Sequence, residues 1–150
     1  MSQGIRRVVT GLDEQGHSTV LFDDRPAGHN SRVLWHSAAL PADNRAREDT
    51  GNILFNSAML GPHASTFIVS EMSPAQTARP FYHSTDTLDY VVVLRGRIEL
   101  QLETCSVELA AGDCVVDRGV NHAWRVLGDE PAMLAVAFLP AEPLRAEAAA

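Results

Sequence analysis

Apolar and polar residues alternate with a period of two along much of the chain, which predicts β-strands rather than helices. The clearest case is 97–103, where Ile98, Leu100 and Leu102 share one face and charged or amide side chains fill the other. Short runs of the same kind recur about every ten residues, separated by Gly, Pro and Asn turns. They predict strands over 5–9, 18–22, 32–36, 65–72, 88–95, 97–103, 106–109, 115–116, 123–127 and 133–139.

This spacing of short strands, with no long amphipathic helix, is typical of an all-β sandwich or barrel. The length of 150 residues suits one domain with a substantial core. We expect the N-terminal strands of 1–31 to form a dimer contact, 32–140 to form the barrel, and 141–150 to be a flexible tail rich in Ala and Glu. A polar stretch over 41–52 has no consistent period and is predicted to be a loop, whose role the sequence does not indicate.

Charge and hydropathy exclude several classes of partner. The net charge of −7 argues against nucleic acid, since phosphate binding needs clustered Lys and Arg. The longest apolar run, 132–139, is too short to cross a bilayer, and residues 1–11 lack the apolar segment of a secretory signal. We therefore expect a cytoplasmic protein. Cys105 and Cys114 are predicted to lie in strands, where they are interpreted as small buried apolar residues.

Three polar side chains stand out in the second half of the chain. His83 precedes a predicted strand, Asp89 follows six positions later, and His122 comes directly after a turn at Gly119. A barrel can bring the three together, because alternate strand positions point inward. Two imidazoles and a carboxylate suit a first-row transition metal with open coordination positions. Without a metal, the same groups suit proton transfer.

Two ordered motifs contain these residues. The first reads His-Ser-Thr-Asp-Thr-Leu-Asp at 83–89, followed after six residues by Gly96. The second has Gly-Asp at 112–113, then Asp-Arg-Gly-Val-Asn-His at 117–122. In these motifs and their order the chain resembles the cupin superfamily, the RmlC-like proteins, over most of residues 5–139. The resemblance implies a single-domain jelly-roll barrel, or double-stranded β-helix, with a small-molecule site at the barrel mouth.

The chain departs from the cupin pattern at three positions. Thr85 stands where metal-binding cupins have a second His, Asp89 where they have Glu, and Asp117 where they have Pro. By resemblance, His83, Asp89 and His122 are the expected catalytic residues and the expected ligands of Zn, Fe, Mn or Ni. The loss of one imidazole equally allows a site without any metal.

The resemblance favours an enzyme acting on an organic acid, an aromatic or a polyketide-like substrate. Lyase or isomerase chemistry, such as decarboxylation or cyclisation, is expected ahead of oxidoreductase chemistry. An iron-dependent dioxygenase and a non-catalytic ligand-binding cupin remain as alternatives. A serine-hydrolase elbow and a Gly-rich phosphate loop are both missing from the sequence. A homodimer without nucleic-acid or membrane partners is expected. The residues expected to bind substrate are Trp35, Phe81, Thr85, Tyr90 and Trp124.

Overall fold

The regular secondary structure of the chain consists almost entirely of short antiparallel strands. A computed structural model describes residues 5–26 and 31–144. The predicted tail has no regular structure up to residue 144, and its remainder, like residues 1–4 and 27–30, lies outside the described residues. The elements are β1 (Arg7–Leu12), β2 (Ser18–Asp24), β3 (Arg32–Ser37), β4 (Ile53–Leu54), a turn of 3-10 helix (Ser57–Met59), β5 (Ser65–Met72), β6 (Thr87–Arg95), β7 (Arg97–Leu102), β8 (Ser106–Ala110), β9 (Cys114–Asp117), β10 (His122–Val126) and β11 (Ala132–Pro140).

The strands form three sheets. A six-stranded sheet has the order β4-β3-β5-β11-β6-β9, a three-stranded sheet has the order β10-β7-β8, and β1 pairs with β2 alone. The order places sequence-distant strands side by side, as in a jelly roll. The two larger sheets pack face to face and form a cupin-type barrel in a single domain. Every predicted strand is present, whereas β4 and the 3-10 turn have too few residues to show a period.

The main core lies between the two larger sheets. The six-stranded sheet contributes apolar side chains such as Val33, Val93 and Leu134, and the three-stranded sheet contributes Ile98 and Val126. These side chains are almost completely excluded from solvent, so their burial supplies most of the apolar driving force. A second, smaller cluster lies on the outer face of the larger sheet and consists of Leu34, Val69 and Met133, with Ile5 and Ala135 packed against it.

Strand β6 shows which residues the barrel encloses. Its residues alternate between buried and more exposed, so Asp89, Val91 and Val93 face inward. Tyr90 and Val92 face outward and are partly exposed. Because successive side chains of a strand point to opposite faces, the inward direction of Asp89 determines the outward direction of Tyr90.

The β1–β2 hairpin is attached to the barrel through Arg7. Its guanidinium donates to Asp24 Oδ1 at 2.9 Å, to Asp49 Oδ1 at 2.7 Å and to the carbonyl oxygen of Leu34 at 3.1 Å. The Arg7 side chain is only 3% exposed. One buried cation therefore ties together the hairpin, strand β3 and the end of the predicted 41–52 loop.

The two cysteines are not core residues, so their expected burial was wrong. Cys105 lies in the β7–β8 connection and Cys114 begins β9, and both are exposed. Strand β9 lies at the edge of its sheet, and its alternate residues Cys114 and Val116 are both exposed. Within the described ranges, no helix has both the length and the apolar character needed to cross a membrane.

Candidate functional site

His83 and His122 are joined through their backbones. The amide of His83 donates to the carbonyl of His122 at 2.9 Å, and the amide of His122 returns a bond to His83 at 3.0 Å. This isolated antiparallel bridge lies where β10 begins. It holds the two imidazole rings side by side, with their centroids 4.5 Å apart.

His122 forms a buried ion pair with Asp117. Its Nδ1 lies 2.9 Å from Asp117 Oδ2 and 2.9 Å from the carbonyl oxygen of Val120. Since both oxygens accept, Nδ1 carries a hydrogen. Burial disfavours the charged imidazole, but the hydrogen bonds to Asp117 and Val120 and the carboxylate charge outweigh it, so the pKa of His122 is raised. His122 is therefore held as a cation more strongly than an exposed histidine would be.

The turn after β9 holds the other half of this pair. Asp117 Oδ1 accepts the backbone amides of Gly119 at 3.0 Å and of Val120 at 3.2 Å. Burial opposes ionisation of Asp117, but its hydrogen bond with His122, the charge of His122 and these two amides together lower its pKa. Gly119 has a φ of 76°, and a Cβ there would lie 2.8 Å from the carbonyl oxygen of Thr85. The turn therefore requires glycine both for its conformation and for the space.

Asp89 lies on the inner face of β6 at the end of a hydroxyl chain. The Thr87 hydroxyl donates to Asp89 Oδ1 at 2.6 Å, and the hydroxyls of Thr85 and Thr87 are 2.7 Å apart. Because each hydroxyl has one hydrogen, Thr87 uses its own on Asp89 and accepts that of Thr85. Thr87 and Asp89 are both buried, so the carboxyl group depends on this chain for its polar contact.

The environment of Asp89 favours its neutral form. Burial is the main cause, and the charge of Asp117, directly opposite in the β6–β9 register, adds to it. The Thr87 hydrogen bond, the positive charge of His122 and the electrostatic interaction with His83 act in the other direction. The balance raises the pKa of Asp89 to about 6. Asp89 therefore gains and loses a proton close to neutral pH, unlike an ordinary aspartate.

His83 lies in the wall of a cavity of about 330 Å³. Its Nδ1 lies 3.0 Å from the carbonyl oxygen of Phe81, so Nδ1 carries the hydrogen and Nε2 has the lone pair of the neutral ring. The Phe81 ring stacks on the imidazole with centroids 5.3 Å apart. Trp124 also lines the cavity and meets His122 edge-on at 5.8 Å. The main polar side chains of the lining are Ser70, Glu71, Gln76, Thr77 and Arg79.

The residues of this site do not fit a metal ion in their present arrangement. Both histidines have the tautomer of a typical metal ligand, with Nδ1–H bonded to a carbonyl. The third donor, however, is an Asp89 carboxyl that is bonded to Thr87, and Thr85 supplies no imidazole. Across residues 5–26 and 31–144, no three His, Cys, Asp or Glu side chains are placed so that they could hold a metal.

The family comparison agrees with the barrel topology and with the motifs around the site. Residues 68–138 match the family model of the cupin domain. This part of the chain is therefore similar to the cupin domain. The match runs from within β5 to within β11 and includes His83, Asp89, Asp117 and His122.

Curated proteins similar to this chain are named for biosynthesis clusters of fungi. "Oryzines biosynthesis cluster protein J" of Aspergillus oryzae is 45% identical over 31% of this chain and 26% of its own length. "Phomopsin biosynthesis cluster protein C'" of Diaporthe leptostromiformis is 37% identical over 43% of this chain and 33% of its own length. The matched part of the chain thus spans about a quarter to a third of these relatives.

Among solved structures, the chain is similar to an RmlC-like cupin with a double-stranded β-helix fold from Methanocaldococcus jannaschii. The TM-score is 0.44 at 13% identity, and the match covers 51% of this chain and 70% of that one.

The barrel brings together most of the predicted site residues. His83 and His122 adjoin, and both act electrostatically on Asp89. Phe81 and Trp124 line the cavity beside His83. Thr85 belongs to the site through its bond to Thr87, not through a ligand position of its own.

Trp35 and Tyr90 lie away from these groups, which corrects their placement at the barrel mouth. Tyr90 projects from the outer face of β6 and is 47% exposed. Trp35 follows a bulge in β3 and pairs with outward-facing Phe67. The bulge adds one residue, so the β3 side chains on either side of it do not follow simple alternation.

Sequence reasoning missed three residues of the site: Asp117, Thr87 and Arg79. In the second motif Asp117 stands in the place of a proline, and an acidic residue five positions before His122 is a usable signal. Thr87 shares the face of Asp89 because it is two positions away in the same strand. Arg79 lies in an irregular loop, where no periodicity predicts the direction of a side chain.

Proposed function

We propose that this cupin barrel is an enzyme that moves protons on a small organic molecule, in lyase or isomerase chemistry. His83 is the proposed group that touches the substrate. Its neutral ring has the lone pair on Nε2, so it can accept a proton from an acidic C–H or O–H group. The resulting imidazolium returns the proton to another atom of the same substrate, which completes an isomerisation.

The observation that carries this proposal is the environment of Asp89. A buried carboxyl group that interacts electrostatically with two imidazoles, with its pKa raised to about 6, exchanges a proton near neutral pH. Asp89 is the proposed second proton-exchanging group of the site. Neighbouring Asp117 stays ionised, and two carboxyl groups with opposite pKa shifts are typical of sites with separate acid and base roles.

His122 is the proposed stabiliser of negative charge. Its pairing with Asp117 favours the imidazolium form, and its ring lies beside that of His83. Removal of a proton from carbon leaves an enolate or carbanion, which a nearby cation stabilises in a buried site. The names of the fungal relatives, which belong to biosynthesis clusters, support a role in small-molecule metabolism.

Hydrogen–deuterium exchange tests the proton transfer without knowledge of the full reaction. The purified protein is incubated in D₂O with a panel of aromatic and β-keto acids, and loss of C–H signals is followed by NMR. We expect catalysed exchange of at least one acid, reduced by about 100-fold or more in His83→Ala. Asp89→Asn is expected to lower the rate as well.

His63→Ala is the matched control, because His63 is exposed and does not line the cavity around His83. Its exchange rate is expected to equal that of the wild type. Equal rates in wild type and His83→Ala would contradict the proposal. Binding of panel members without any exchange would instead favour a non-catalytic ligand-binding cupin.

A further inference from the structure

Two charged side chains line the cavity beside His83, and their surroundings differ. Glu71 forms an ion pair with Arg95 at 2.5 Å, which neutralises its charge. Arg79 also lines the cavity. None of the residues that the structure describes forms a hydrogen bond or ion pair with Arg79. The cavity therefore presents one positive charge that is not neutralised by the protein.

The other polar groups of the lining are already engaged. The Thr77 hydroxyl accepts the amide of Val126 at 2.9 Å. The Gln76 side chain accepts the amide of Ser73 at 2.8 Å. The hydroxyl of Ser70 is bonded to that of Ser31 at 2.9 Å. A ligand therefore meets few unsatisfied polar groups besides the guanidinium and His83.

The remaining walls are aromatic and apolar. Phe81 is 76% exposed and stacks on His83, and Trp124 and Met72 complete this side of the cavity. Exposed aromatic rings lose unfavourable contact with water when a planar apolar group covers them. The volume of about 330 Å³ is at the small end of ligand pockets, which suits a ligand with one ring or two fused rings.

We propose that this cavity binds a small aromatic carboxylic acid, with Arg79 as the residue that binds its carboxylate. The planar guanidinium can donate two parallel hydrogen bonds to the carboxylate, the ring packs on Phe81 and Trp124, and the opposite end meets His83. This inference rests on the proposed function only in using the same cavity, since binding requires no reaction.

The test uses phenylacetate, its uncharged analogue phenylacetamide, and acetate as an anion without a ring. The chain has two tryptophans, so its indole N–H region contains two NMR signals, which Trp35→Phe assigns. We expect phenylacetate to shift the Trp124 signal and not the Trp35 signal. At constant ionic strength, phenylacetamide and acetate should each need about tenfold higher concentration than phenylacetate for the half-maximal shift of the Trp124 signal. A tenfold difference corresponds to the free energy of one charge-assisted hydrogen bond.

Substitutions at Arg79 separate its charge and its shape. Arg79→Gln should weaken phenylacetate binding about tenfold, to the affinity that the wild type has for phenylacetamide. The affinity of Arg79→Lys for phenylacetate should lie between those of the wild type and Arg79→Gln. Arg97→Gln is the control, because it removes the same charge from an exposed residue of β7 that pairs with Glu108. It should leave phenylacetate binding unchanged.

The inference is overturned if phenylacetate and phenylacetamide bind equally well, or if Arg79→Gln still prefers the acid. It is also overturned if phenylacetate does not shift the Trp124 signal up to its solubility limit. Its failure is distinguishable from failure of the proposed function. If phenylacetate binding depends on Arg79 but no exchange is catalysed, only the proposed enzyme activity is overturned. If exchange is catalysed but the acid is not preferred over the amide, only the proposed carboxylate site is overturned.

Discussion

At the scale of residues, two aspartates lie opposite each other on β6 and β9, and their pKa values are shifted in opposite directions. Asp117 accepts two backbone amides and pairs with His122, so its charged form is stabilised. Asp89 has one hydroxyl donor and lies deep in the barrel. Two neighbouring carboxylates cannot both be ionised cheaply, and the hydrogen-bond donors determine which one carries the charge.

The raised pKa of Asp89 predicts a pH-dependent loss of stability. Its folded pKa is about 6, above the unfolded value of about 3.9. Between these values the folded state binds more protons, so the free energy of unfolding falls as pH rises through about 4 to 6. Compared with Asp89→Asn, the wild type should lose about 2–3 kcal/mol over this window, measured by urea unfolding.

Exposed Asp86 is the control for this measurement. Asp86→Asn should follow the pH dependence of the wild type. Parallel stability curves for wild type and Asp89→Asn would show that the carboxyl group is not desolvated as described.

The hydroxyl of Thr87 is predicted to lower the pKa of Asp89, because it donates to the carboxylate. Thr87→Val keeps the shape but removes the donor, so the Asp89 titration midpoint should rise by roughly one unit. Thr87→Ser should restore it. The midpoint is measured by ¹³C NMR of the labelled carboxyl carbon, and an unchanged midpoint in Thr87→Val would exclude this role.

At the scale of elements, the β1–β2 hairpin depends on few contacts with the barrel. It forms its own two-stranded sheet, and Arg7 joins it to Asp49 and Leu34. Arg7→Ala leaves two carboxylates without their partner, so we expect a loss of about 3 kcal/mol in the free energy of unfolding.

Adjacent Arg6 is the matched control. It also pairs with a hairpin aspartate, Asp23, but its side chain is 59% exposed. Arg6→Ala should therefore have a much smaller effect in the same chemical denaturation. Similar losses of stability in Arg6→Ala and Arg7→Ala would contradict the role assigned to the buried ion pairs of Arg7.

The turn between β9 and β10 is predicted to be intolerant of a side chain. Gly119 and Gly16 have similar φ values of 76° and 82°, but only at Gly119 does a Cβ meet a backbone atom, Thr85 O at 2.8 Å. Both alanine variants share the conformational cost of about 1 kcal/mol. In thermal unfolding, Gly119→Ala should lose clearly more stability than Gly16→Ala. Equal losses of stability would contradict the close contact at Gly119.

At the scale of the whole molecule, the outer face of the six-stranded sheet is apolar and partly exposed. Tyr90, Val92 and Val116 are 47%, 37% and 60% exposed in the single chain. Contiguous apolar surface of this kind is typical of interaction sites. The hairpin also exposes Val20, at 52%. The expected homodimer therefore has two candidate surfaces.

Light scattering at micromolar concentration is expected to give the mass of two chains. Val116→Glu should yield monomers if the outer sheet face forms the contact, and Val20→Glu should do so if the hairpin forms it. A single-chain mass for the wild type would contradict the dimer.

Metal content remains a prediction for the whole molecule. Elemental analysis of the purified protein should find no stoichiometric Zn, Fe, Mn or Ni, because Thr85 supplies no imidazole and the remaining donors are not arranged around an ion. One metal per chain that is lost in His122→Ala would contradict this expectation.

The sequence by itself determined the strands, the all-β class and the grouping of His83, Asp89 and His122, because period-two alternation and motif spacing are local properties. The same alternation also indicates that Tyr90 points outward, because Tyr90 directly follows the inward-facing Asp89 in the strand. Only the tertiary structure decided that the β3 bulge turns Trp35 away, that Asp117 pairs with His122, and that Arg79 reaches the cavity of His83. Bulges, ion pairs and loop directions depend on contacts between segments that are distant along the chain, and hydrophobic periodicity does not encode those contacts.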